Sequence, residues 1–159
     1  MVRLIVPPTS EPITLDEAKT YLKIDVFDDD VLITSLITVA RQMLENYLGI
    51  SFLTQQWRYT IDNPKEYVYL PRPPIQSVQF VSVKGVTLTT TFEEDSGRVK
   101  FDPIPESATI DYTTGYTTLP EALKNAVLRL TAYLYENRTT TQIPDEVISA
   151  VESYKAVQL

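Results

Sequence analysis

The sequence predicts an α+β fold, a helical bundle built from the N- and C-terminal parts with an antiparallel β block inserted between them. Two changes of hydrophobic period carry this reading. Apolar residues recur at helical spacing over about 14–48, alternate with polar ones over about 52–113, and return to helical spacing from about 119. The order helix–helix, strands, helix–helix brings the two ends together and segregates the strands, as in an α+β domain.

The first helix is expected over about 14–23. Thr14-Leu15-Asp16-Glu17 matches a capping box, with Leu15, Ala18, Tyr21 and Leu22 following at helical spacing. Asp28-Asp29-Asp30 places carboxylates where the dipole of a second helix, about 29–48, favours them. Its stripe is Ile33, Ile37, Ala40, Leu44 and Tyr47, flanked by Leu32, Leu36, Val39 and Met43, and Gly49 is placed to stop it. In the middle block Leu53, Gln55, Trp57, Tyr59 and Ile61 alternate with polar residues, which puts Trp57 in the core. Short strands are expected at Tyr67–Leu70, Ile75–Val83, Val86–Leu88, Arg98–Phe101 and Ala108–Tyr112. Turns are expected at Pro71-Arg72-Pro73-Pro74, Lys84-Gly85, Glu94-Asp95-Ser96-Gly97 and Gly115.

A third helix is expected over about 119–138, where Thr118-Leu119-Pro120-Glu121 carries a capping-box pattern and a proline suited to a first turn. Leu119, Leu123, Ala126, Val127, Leu130, Tyr133 and Leu134 form its stripe. Leu128, Ala132 and Tyr135 lie outside that stripe, a surplus that suits either a neighbouring subunit or the β block. After a polar break a short helix is expected over about 144–155, with Val147, Ile148, Val151 and Tyr154 on one face. Such a helix is marginal alone. It either folds back on its own bundle or reaches a partner as an arm. These seven residues, Leu128 to Tyr154, are the candidate oligomer or partner interface. The whole chain, 1–159, is expected to form one domain, since its length suffices to bury a core without staples.

Composition narrows the chemistry. The chain has neither cysteine nor histidine, so the usual general base near neutral pH and the usual partner of a serine or cysteine nucleophile are missing. No catalytic residue, cofactor site or metal site is expected. The aspartates near 25–30 lack the glycine and terminal glutamate of a calcium loop and read as helix-start carboxylates. Glu93-Glu94-Asp95 are neighbours on a turn, whereas paired catalytic carboxylates face each other from separate elements. Fourteen basic against twenty-one acidic residues give a net charge of −7, with no basic run to neutralise phosphates. The ten tyrosines, among them Tyr67, Tyr69, Tyr112 and Tyr116, therefore suit core and protein interfaces better than stacking on bases. No membrane span or signal peptide is expected, because the apolar N-terminal run ends at Pro7-Pro8.

Several segments in their order resemble tailed-phage head-to-tail connector (adaptor) proteins. They are Ile13–Lys19 with Leu22–Asp25, Asp29-Asp30 ahead of Leu36-Ile37 and Ala40-Arg41, and Glu45–Gly49. Gln56-Trp57, Leu70–Ile75, Tyr112–Tyr116, Pro120, Leu123-Lys124 and Leu134–Arg138 continue the similarity, which spans about 13–138. The resemblance implies a virion protein of the neck between capsid and tail, made in the host cytoplasm and active as a ring of commonly twelve copies. It also implies the partners: further copies of itself, the portal protein, a tail completion protein, and DNA that passes through without tight binding. A β insertion fits variants of the family with a larger strand block, and no catalytic residue is implied. Two other functions share parts of the pattern. A tail terminator or stopper is also a ring, though predominantly β, and a small terminase-like packaging module would show a basic helix-turn-helix.

Overall fold

The computed structural model describes residues 1–83, 86–87 and 90–156. In chain order the elements are β1 (Val2–Val6), α1 (Leu15–Leu22), α2 (Asp30–Leu48), β2 (Gln55–Asp62), β3 (Tyr67–Tyr69) and β4 (Ile75–Val83). There follow β5 (Val86–Thr87), β6 (Thr91–Glu93), β7 (Arg98–Lys100), β8 (Ser107–Thr114), α3 (Glu121–Glu136) and α4 (Asp145–Val151). The fold is mixed α+β, with four helices and two antiparallel sheets among the described residues. The chain divides into two compact units. One contains Met1–Pro8 and Gly49–Thr117, the other Thr9–Leu48 and Thr118–Lys155.

In the helical unit α3 packs against α1, α2 and α4. The capping box of α1 forms as the sequence predicts: the Thr14 hydroxyl accepts the Glu17 N–H at 3.1 Å, and the Glu17 carboxylate accepts the Thr14 N–H at 2.7 Å. The Lys124 ammonium reaches the same carboxylate at 2.9 Å. The bond from the Thr14 backbone and the Lys124 contact hold the Glu17 carboxyl below its ordinary range. On α2 the stripe Ile33, Ile37, Ala40 and Leu44 is buried, as expected, while Tyr47 is half-buried and Leu48 takes the innermost last place.

One turn of α2 buries a charge. Arg41 is 5% exposed and Glu45 3%. The Arg41 guanidinium donates to Glu45 at 2.7 Å and to both oxygens of Glu11 at 2.7 and 3.1 Å, while the Thr38 hydroxyl also donates to Glu11. Burial alone would lower the Arg41 pKa, but the two carboxylates more than offset it and the net shift is upward.

The β unit holds a five-stranded sheet in the order β1-β2-β8-β4-β5 and a three-stranded sheet in the order β3-β7-β6. Both contribute to one core, with Val68, Leu70, Val99 and Phe101 meeting Val81, Ala108, Ile110 and Tyr112. The period-2 reading of β2 is confirmed by its register on β8: Trp57, Tyr59 and Ile61 lie opposite Tyr112, Ile110 and Ala108. Between them, on the other face, Arg58 forms a two-pronged ion pair with Asp111, both bonds 2.7 Å.

Four expectations need correction. Trp57 is half-buried rather than enclosed, because it sits one strand from the sheet edge, and the Arg72 guanidinium lies 4.5 Å from its ring. Leu53 precedes its strand. Thr118 and Glu121 form no capping box, since Pro120 takes the N-cap position and Glu121 becomes the first helical residue instead of the third. Finally, β1 and β6 had no counterpart in the sequence reading. The expected turn at Lys84-Gly85 and the end of its strand at Leu88 lie outside the described residues.

Gly115 closes β8 with φ +107°, and a Cβ there would stand 2.1 Å from the Leu53 carbonyl oxygen. Neither rotation nor a side-chain shift relieves a backbone clash of that size. Gly115→Ala is therefore expected to cost about 4 kcal/mol or more, read as a loss of denaturation midpoint. A midpoint within experimental error of the parent would contradict this packing.

Candidate functional site

The described residues contain no cluster of three or more His, Cys, Asp or Glu side chains that could hold a metal ion. Three of the acidic residues singled out in the sequence have structural partners. Asp30 pairs with the Lys19 ammonium at 2.7 Å, and Asp29 accepts the Tyr135 hydroxyl at 2.5 Å, so both tie the start of α2 to other helices of its unit. The same bond, with burial second, raises the Tyr135 pKa. Glu93 binds Arg98 at 2.5 Å across the β6–β7 turn, which lowers the Glu93 pKa. The two groups share a local turn, not a cleft.

The tyrosines divide as their strands dictate. Tyr112 is fully buried, donates its hydroxyl to the Pro71 carbonyl at 3.2 Å, and has its pKa pushed up by burial. Tyr67 lies under Arg98 and Lys100, at 4.3 and 5.6 Å, but each cation also pairs with a carboxylate, Glu93 or Glu66. Tyr69 is exposed and Tyr116 half-buried.

The seven candidate interface residues separate by burial. Ala132, Val147 and Val151 are buried, at 8%, 3% and 0% exposure, so they present no surface. α4 packs on α3, and Glu152 just beyond it accepts the Tyr47 hydroxyl at 2.9 Å, while Lys155 stands 4.4 Å over that ring. Leu128, Tyr135, Ile148 and Tyr154 remain half-buried. Leu128 lines a groove of about 510 Å³ between α1 and α3, with Ile13, Tyr21 and Lys124.

Sequence reasoning missed two apolar surfaces. One is the α1–α2 loop and the start of α2, where Val26, Phe27 and Val31 are 57%, 80% and 85% exposed. The other is β1, in which Val2, Leu4, Ile5 and Val6 are each 37–41% exposed. Exposed apolar surface of this kind is a candidate contact surface. The β-branched run Val2–Val6 was the available signal for β1; the prolines after it drew attention instead to what the segment is not.

The fold has close counterparts in phage-like particles. It superposes with a TM-score of 0.82 at 18% identity on a chain of the virion of a native gene transfer agent (GTA) particle. Chains from the neck of an empty GTA particle computed with C6 symmetry and of a native one computed with C12 symmetry give 0.80 at 16% and 0.79 at 19%. In all three, 100% of this chain and 97% of the other are covered. At these identities the likeness establishes the fold. A family model supplies more: residues 11–144 match head completion protein, and the chain belongs to that family. The family agrees with the head-to-tail connector resemblance. No curated protein matches the chain.

The burial of Val147 and Val151 favours a helix docked on its own subunit over a free arm. A chain truncated after Arg138 loses both side chains from the core, at about 1.5–3 kcal/mol each. Its melting temperature is expected to fall by roughly 6 °C or more. An unchanged melting curve would show that the last helix is dispensable to its own subunit.

Proposed function

We infer that this protein is a non-enzymatic structural subunit of a head-to-tail connector ring. It docks on the portal, extends the DNA channel and gives the tail a platform. The observation that carries the reading is the head completion family match, whose bounds, 11–144, take in the N-terminal helices, the strand block and α3. The full-length fold likeness to chains from GTA necks computed with sixfold and twelvefold symmetry supports a ring.

Charge supports the passive part of the role. Each Lys or Arg contact to a phosphate adds affinity, and would add drag on a moving duplex. The chain is net −7, and most of its described cations are already spent on carboxylates, as in Lys19–Asp30, Arg58–Asp111 and Lys124–Glu17. The protein lets DNA through and holds proteins. Helix-first order and two helix pairs favour the connector over a mostly β stopper, and the acidic start of α2 is the reverse of a DNA-recognition helix.

Two results are expected. Particles assembled without this protein should accumulate as separate DNA-filled heads and tails, and adding the purified protein should join them; joining in its absence would refute the role. In a gel shift at about 100 mM salt, duplex DNA should stay unshifted up to micromolar protein, given non-specific dissociation constants of about 10⁻⁴–10⁻⁶ M. A nanomolar shift would instead indicate a packaging module.

A further inference from the structure

β1 ends the five-stranded sheet and is hydrogen-bonded to β2 on one side only. Met1 and Thr60 exchange both main-chain bonds, at 2.6 and 2.9 Å, and Val2, Arg3 and Leu4 follow opposite Tyr59, Arg58 and Trp57. In an antiparallel ladder hydrogen-bonded pairs alternate with non-bonded ones. Arg3 therefore bonds to Arg58, while Val2 and Leu4 turn their N–H and C=O groups outward. Proteins ordinarily guard such an edge with charges, prolines or a cover. Here all five residues are exposed, four of them are aliphatic, and Arg3 is the single charge.

Among the described residues the other end of the same sheet is open as well: β4 runs from Ile75 to Val83, and the described β5 pairs with Ser82 and Val83. Among the described residues no strand lies along the outer side of Ile75–Val81, and that stretch carries no charged residue.

The two edges fit each other in polarity. Because β1, β2, β8 and β4 are antiparallel in succession, β1 and β4 run in opposite directions. A copy related by the small rotation of a ring keeps its strand direction, so its β1 would meet a neighbour's β4 antiparallel. Two β1 edges, by contrast, pair antiparallel only about a twofold axis, which closes a dimer and builds no ring. Charge agrees: in a net-acidic chain these edges hold no acidic residue, so joining them brings no carboxylates together.

We propose that β1 of one copy adds to the outer side of β4 in the next, so that the sheets continue from subunit to subunit. The proposal rests on the ring reading above, and its test keeps the two apart. Leu4→Pro removes an outward N–H that the isolated subunit does not use. Its melting temperature should stay that of the parent, and the rings seen by electron microscopy should be lost. Arg3→Pro breaks a bond to β2 and should lower the melting temperature, which calibrates the comparison. The chain has no cysteine, so Leu4→Cys combined in turn with Ser77→Cys, Val78→Cys or Gln79→Cys should give a disulfide-linked ladder of subunits in at least one register. Rings from Leu4→Pro in parental yield, a lowered Leu4→Pro melting temperature, or no ladder at any register overturns the strand addition and leaves the ring reading standing. If the parent forms no ring even with portal present, both fail.

Discussion

The molecule depends on α3 coming back to pack against α2. Between them the chain makes the whole strand block, so their contact must repay the entropy of closing a long segment. It does so with complementary apolar stripes, Ile33, Ile37, Ala40 and Leu44 on α2 and Leu123, Val127, Leu130 and Leu134 on α3, every one buried within the helical unit. The Arg41 network secures the other flank of α2. A guanidinium held between Glu45 on its own helix and Glu11 on the entering segment ties that segment down, and removal of either carboxylate would leave a buried cation undercompensated.

What the sequence made legible follows from how local each signal is. The capping box at Thr14–Glu17, the stripe of α2, the β2 alternation and the turn at Gly115 depend on neighbours a few residues apart, and all appear in the structure. The misses depend on partners far away. β1 is a strand because β2 is beside it, and β6 because β7 is. Trp57 carries the pattern of a core residue, but alternation tells which face a side chain takes and not how near the sheet's edge it stands. Pro120 displaced the Thr118 box because a fixed φ of −56° suits the cap position itself.

The candidate surface was legible only in part. On α3 the sequence offered Leu128, Ala132 and Tyr135 as a surplus beyond one stripe, and on α4 a single apolar face. Ala132, Val147 and Val151 prove to be buried, and the most exposed apolar surface lies on Val26, Phe27 and Val31 and along β1. Helical periodicity cannot find such sites, since a loop has no period and an edge strand is exposed on both faces. On the connector reading, these aliphatic patches are the surfaces through which assembly would act, and a net charge of −7 would disfavour a grip on the duplex.

The most direct measurement is electron microscopy of the purified protein mixed with portal. The connector account predicts one ring of this protein, coaxial with the portal and continuing its channel. Subunits that stay monomeric beside intact portals, or rings that form only on tail ends, would contradict it.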